Sequence, residues 1–183
     1  VTDRKAKEEQ METIARSDPL TGVLNRRGFE RDAALRLTQS ADDATGALLF
    51  IDLNDFKLIN DKCGHEVGDE LLKIAAERLH KSLRSGDIIG RPGGDEFVAL
   101  VPDVSPDVAE RLATRLTRSL EAPYRIAGQE LRCAASIGLA LYPDHANTLT
   151  GLMRAADAAM YRAKARWRDV DDTGQVNLLE KAG

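Results

Sequence analysis

Only two cysteines, Cys63 and Cys133, and three histidines occur in 183 residues. The cysteines have no CxxC spacing, so a disulfide framework is excluded and both read as core or half-buried thiols in a reducing cytoplasm. No second His or Cys stands at ligand spacing from His65, which removes a zinc-type site. Long hydrophobic runs are missing too. The longest, from Ala47 to Ile51, is far too short to cross a bilayer, and the N-terminus lacks the apolar core of a signal peptide. Any membrane attachment is therefore expected through segments outside this chain. A net charge of −4 without a basic block excludes a broad nucleic-acid surface and a polybasic membrane patch. There is no internal repeat and no low-complexity segment. What remains is ordinary globular composition, 43% hydrophobic and 31% charged, enough for one buried domain with appendages.

Residues 1–16 are dense in Lys, Glu, Arg and Gln and predict an exposed linker helix with no core of its own. The breaker cluster Ser17-Asp18-Pro19-Leu20-Thr21-Gly22 opens a domain spanning 17–168, and a helix follows to about Gln39. Gly46 to Asp52 is a short apolar run ending on an acid, as in a buried strand whose last residue emerges at a sheet edge. The polar stretch Asn54 to Asp61 does not suit a strand, so the next regular element is expected near His65. Val67, Leu71, Ala75, Leu79 and Leu83 then form one helical stripe through Leu83. Pro106 opens a second amphipathic helix with Val108, Leu112, Leu116 and Leu120 inward. Tyr124 to Ile126 and Glu130 to Tyr142 read as two strands around Gly128, and a last helix ends near Arg168 before a tail, 169–183. This order predicts an α+β fold with a mixed, mainly antiparallel sheet wrapped by helices.

The centre of the chemistry is Arg91-Pro92-Gly93-Gly94-Asp95-Glu96-Phe97, between apolar runs on either side. It reads as a β-hairpin tip, where glycines let the backbone turn and let a bulky ligand approach. Taken alone, Gly-Gly-Asp is ordinary turn chemistry. Asp52 at a strand end and the hairpin acids make a candidate hard-metal site, because Mg²⁺ takes oxygen ligands from one or two carboxylates plus substrate phosphates. Lys57, Lys164 and Arg168 are candidate phosphate contacts, the latter two sharing a helix face four residues apart. Asn60 and Asp69 carry side chains able to read a purine edge. His65 suits a helix start or a ligand contact.

These residues fall in ordered blocks: Asp18-Pro19-Leu20-Thr21-Gly22-Val23-Leu24-Asn25-Arg26-Arg27, Asp52 to Asp61 followed by Gly64-His65 and Gly68-Asp69, Gly93 to Phe97, Ser136-Ile137-Gly138, and Ala156-Asp157 with Met160-Tyr161 and Ala163-Lys164. On them the chain resembles the GGDEF domain of diguanylate cyclases from about Arg16 to Arg168. The resemblance implies a fold like the palm of nucleotidyl cyclases and polymerases, and condensation of two GTP to cyclic di-GMP and two pyrophosphates by a homodimer. It implies Mg²⁺, or Mn²⁺ in its place, on Asp52, Asp95 and the Leu53 carbonyl. Asn60 and Asp69 should bind guanine, with His65, Phe56, Gly93 and Gly94 lining the nucleotide. Lys57, Lys164 and Arg168 should meet phosphates, and Asp95 or Glu96 should assist deprotonation of the attacking 3′-hydroxyl. Arg84-Ser85-Gly86-Asp87 matches the family's RxxD site, where cyclic di-GMP binds as inhibitor. A catalytically silent GTP- or cyclic di-GMP-binding module is the alternative. The chain departs from the family pattern at Pro92, Asn54 and Trp167.

Overall fold

A computed structural model describes residues 2–170, and its organising element is strand β2 (Gly46–Leu53), buried along its whole length. Alternation along that strand divides the interior into two cores. Ala47, Leu49, Ile51 and Leu53 enter one, and Leu48 and Phe50 the other. The sheet runs β1 (Leu24–Asn25), β3 (Ile88–Gly93), β4 (Glu96–Pro102), β2, β7 (Ala135–Tyr142). β1 pairs parallel to β3, and every other pairing in this sheet is antiparallel. The expected mixed, mainly antiparallel architecture is present.

Helices α3 (Phe56–Cys63), α4 (His65–Ser82) and α5 (Pro106–Glu121), with the small hairpin of β5 (Tyr124–Ile126) and β6 (Gln129–Leu131), contribute to the first core. Helices α2 (Arg26–Thr38) and α6 (Leu149–Val170) contribute to the second, through Phe29, Ala33, Leu152, Ala156 and Met160. Local signals start these elements where the chain requires it. The Asn25 side chain accepts from the Gly28 amide at 2.9 Å, and Ser105 caps α5 with Pro106 in its first turn. Each such cap contributes about 1 kcal/mol. α1 (Thr2–Arg16) is the expected N-terminal helix, exposed at nearly all its described side chains.

Four expectations need correction or restriction. The polar stretch after β2 is not irregular up to His65. Phe56 and Ile59, three residues apart, bury one edge of α3, and two apolar side chains suffice for so short a helix. The run from Glu130 to Tyr142 is not one strand but β6 and β7, parted at Arg132-Cys133-Ala134. Val108 is 41% exposed, and Ala109 takes the buried position beside it. α6 continues to Val170, and the remaining tail, 171–183, lies outside the described residues.

One close approach fixes α6. A Cβ added to Gly138 on β7 would lie 2.0 Å from the Ala156 carbonyl oxygen and 2.2 Å from the Met160 amide nitrogen. Only glycine lets this backbone meet the helix so closely. The helix that carries Asp157, Lys164 and Arg168 is thereby seated directly on the sheet.

Candidate active site

The hairpin expected at Gly93-Gly94-Asp95-Glu96 is formed by β3 and β4, with Gly93 paired to Glu96 and Gly94 and Asp95 at its tip. Gly94 has φ +47, a backbone state that favours glycine. Glu96 stands opposite Asp52 in the β2–β4 register, and the Leu53 amide donates to the Asp95 carbonyl at 3.1 Å. Backbone pairing alone thus brings Asp52, Leu53, Asp95 and Glu96 to one end of the sheet. Pro92 lies in a β-bulge: three steps on β3, Gly90 to Gly93, match two on β4, Val98 to Glu96. A residue without an N–H is tolerated there because the bulge already interrupts the ladder.

Asp52 is 3% exposed, and Lys164 reaches across from α6 to donate to it. Burial first, then the charge of Asp52, holds the Asp95 carboxyl above the ordinary carboxylate range. Glu96 is raised in the same way, by burial and then by Asp52, Asp95 and Asp157, with Lys164 opposing. Asp157 joins this cluster although residue reading gave it no role. Its spacing of seven from Lys164, which keeps both on one helix face, was the available signal.

At the same end of β2, the α3–α4 junction forms a second group. Asn60 has a buried Oδ1 with no hydrogen-bond partner among the described residues. A Cβ on Gly68 would fall 1.7 Å from that oxygen, so the glycine makes room for the amide. Phe56 is buried beside it, with its Cζ 3.1 Å from the same added Cβ. Buried polar atoms are nearly always satisfied in folded proteins. This oxygen can accept from a donor that the described residues do not supply.

Lys57, His65, Asp69, Gly93 and Arg168 are exposed, and Arg168 lies one turn beyond Lys164. Asn54 is 1% exposed and trades hydrogen bonds with Ser136: its amide donates at 2.8 Å and its oxygen accepts at 3.1 Å. Asn54 is thus occupied within the core. Arg84 and Asp87 sit at the opposite end of the hairpin from its tip. The Arg84 side chain is 60% exposed and donates to the Pro102 carbonyl at 2.7 Å. The Asp87 carboxylate accepts from the Arg84 amide at 2.8 Å.

The acids suit a divalent cation. Their donors are oxygen only, and Asp95 is destabilised as an anion by Asp52, and Glu96 by Asp52 and Asp95, a conflict that added positive charge relieves. Among the described residues no three His, Cys, Asp or Glu side chains are arranged as a complete cage. Mg²⁺ does not require one when phosphates complete its shell.

A family model described as "Diguanylate cyclase, GGDEF domain" matches residues 15–169. Among relatives, the chain is 43% identical over 157 residues to MucR of Pseudomonas aeruginosa, a bifunctional diguanylate cyclase/cyclic di-GMP phosphodiesterase, covering 85% of this chain and 23% of MucR. It is 34% identical over 164 residues to PdeR of Escherichia coli, a cyclic di-GMP phosphodiesterase, covering 90% of this chain and 25% of PdeR. The chain thus spans about a quarter of the length of these relatives. The solved GGDEF domain of TpbB from Pseudomonas aeruginosa matches with a TM-score of 0.79 and 40% identity, over 82% of this chain and 89% of that one.

Proposed function

Because the chain belongs to the GGDEF domain family, we propose that it is a diguanylate cyclase, condensing two GTP to cyclic di-GMP with release of two pyrophosphates. The observation that carries this reading is the convergence of Asp52, Asp95, Glu96 and Lys164 at one sheet end. Asp52, Asp95 and the Leu53 carbonyl would hold Mg²⁺ or Mn²⁺. Bound there, the ion supplies charge neutralisation at the phosphates. Asn60 and Asp69 read guanine, with His65, Phe56, Gly93 and Gly94 around the nucleotide. Lys57 and Arg168 contact phosphates from exposed positions. Lys164 is already within reach of the acids and holds the triphosphate against them.

The 3′-hydroxyl of one GTP attacks the α-phosphorus of the other, the bond to the β-phosphate oxygen breaks, and pyrophosphate leaves; a second attack closes the ring. Asp95 or Glu96 assists deprotonation of the attacking 3′-hydroxyl. Each domain presents one nucleotide, so two copies must face each other across their exposed hairpin tips. Arg84 and Asp87 form a product site away from the tip, where an exposed guanidinium can bind guanine or phosphate bidentately. Among the described residues no helix is long and apolar enough to cross a membrane. As a user of GTP the domain is assigned to the cytoplasm, and any membrane attachment would be made through segments other than these.

Purified protein with Mg²⁺ and GTP should form cyclic di-GMP at a rate that falls faster than linearly on dilution, and Asp95→Ala should abolish it. An Arg84→Ala protein that still stalls at the same product concentration sinks the inhibitory assignment. The resemblance to PdeR supports one alternative, a silent module that binds GTP or cyclic di-GMP without turnover.

A further inference from the structure

The hairpin tip is tied to the turn that follows α1 by one half-hidden ion pair. Arg91 Nη1 donates to both carboxylate oxygens of Asp18, at 3.0 and 3.1 Å, and each side chain is 14% exposed. The same guanidinium donates through Nε and Nη2 to the Gly94 carbonyl, at 2.9 and 2.7 Å. One planar fork therefore grips the tip residue next to Asp95 and a residue 73 positions earlier.

Sequence and backbone explain why Arg91 can do this. It sits in the β3 bulge with Pro92, and bulges re-aim side chains. Its neighbour across the parallel pairing is Asn25, at the end of the Asp18–Asn25 segment. Asp18 is itself fixed: its Oδ2 accepts from the Thr21 hydroxyl at 2.6 Å and from the Thr21 amide at 2.9 Å. Burial acts to raise its carboxyl, but the Thr21 and Arg91 donors outweigh it, and the group stays ionised below the usual range. The turn is anchored in turn, since the Asn25 side chain donates through Nδ2 to the Ala15 carbonyl at 3.0 Å and Arg16 pairs with Asp32.

We propose that Asp18 and Arg91 are a positioning pair for the acids of the hairpin. By clamping the Gly94 carbonyl, the pair sets where Asp95 and Glu96 stand relative to Asp52, and so sets the affinity of the site for a divalent cation. This rests on the cation-binding reading of those acids. Both residues act through the Gly94 carbonyl, and neither is assigned a contact with nucleotide or metal. The pair also links the turn after α1 to the tip, beside the backbone pairing of β1 with β3.

The test uses the whole chain with isosteric Asp18→Asn and with Arg91→Lys, which keeps charge but loses the fork. Hydrogen exchange of a peptide covering 91–97 should accelerate in both, while peptides within β2 and β7 exchange as in the parent. The Mg²⁺ concentration giving half-maximal cyclic di-GMP synthesis should rise by about 10- to 100-fold, as is usual when groups supporting metal ligands are removed. Saturating Mg²⁺ should recover most of the turnover, which a general loss of folded protein would not allow. The double variant should be no worse than the weaker single one. Unchanged exchange at 91–97, or a turnover loss with an unmoved Mg²⁺ requirement, overturns the proposal. If the parent makes no cyclic di-GMP, the assigned reaction fails, while accelerated exchange confined to the tip still supports the clamp.

Discussion

Gly68→Ala separates base recognition from stability, because the structure lets both effects be sized. Gly68 lies in the first turns of α4, where alanine ordinarily gains about 1 kcal/mol over glycine. Here the new Cβ would stand 1.7 Å from Asn60 Oδ1 and 2.8 Å from its Cγ, so the amide must rotate away. That oxygen is buried and unpartnered among the described residues, so its departure breaks no hydrogen bond to them and relieves a desolvation cost of about 1–3 kcal/mol. Against this, the Phe56 ring, 3.1 Å from the Cβ, must yield, and such overpacking costs about 1–3 kcal/mol. The contributions nearly cancel, and the melting temperature should stay within about 4 °C of the parent. Guanine recognition does not cancel. An amide pair to a base edge is worth about 1–3 kcal/mol, so GTP should bind about 5- to 150-fold more weakly. Titration calorimetry with a non-hydrolysable GTP analogue, beside a thermal melt, reads both quantities. Unchanged affinity in a folded variant would refute the role of Asn60. A melting temperature lower by more than about 8 °C would refute the claim that the amide, and not the backbone, absorbs the clash.

The raised carboxyls predict a pH effect of definite sign. The folded metal-free protein binds more protons at Asp95 than the unfolded chain, whose Asp95 titrates near 3.8, so this acid's penalty is absent below that value and grows as pH rises through the folded one. Asp95→Asn should therefore raise the metal-free melting temperature at pH 8 more than at pH 3.5, below the unfolded value, while abolishing synthesis; an equal shift at both would contradict the repulsion. Gly138→Ala should destabilise by about 3 kcal/mol or more, because its Cβ meets α6 backbone that cannot rotate aside, and a melt within 2 °C of the parent would refute that packing. Cys133 is 2% exposed and burial pushes its thiol up to about 12. It should resist iodoacetamide at pH 8 in the native state, with the half-buried Cys63 reacting first, as mass mapping of the alkylated peptides would show.

The parts of the fold legible in the sequence were those with a strong period. The α4 stripe and the fully buried β2 stand where their patterns put them, because burial on one or both faces leaves a pattern that local reading detects. α3 escaped because two buried side chains in eight residues carry no period. The split between β6 and β7 escaped because no Gly or Pro marks the break at Arg132-Cys133-Ala134. In the candidate site, Asp52, Asp95, Glu96 and Lys164 were legible as residue types suited to a metal and to phosphates. Their meeting depends on the β2–β4 register and on α6 lying against Gly138, which are long-range facts. The same holds for Arg91 and Asp18. Each looks like a turn residue locally, and only the bulge at Pro92 turns the guanidinium toward both partners. The departure at Asn54 is equally tertiary in origin, since Ser136 on β7 takes up its amide.

The most direct measurement is the fate of GTP incubated with the purified chain and Mg²⁺, followed by chromatography and mass detection, with Asp95→Ala alongside. The account predicts cyclic di-GMP and pyrophosphate in a ratio of one to two from the parent chain and neither from the variant. GTP recovered intact from a folded, nucleotide-binding protein would contradict it and leave a silent binding module.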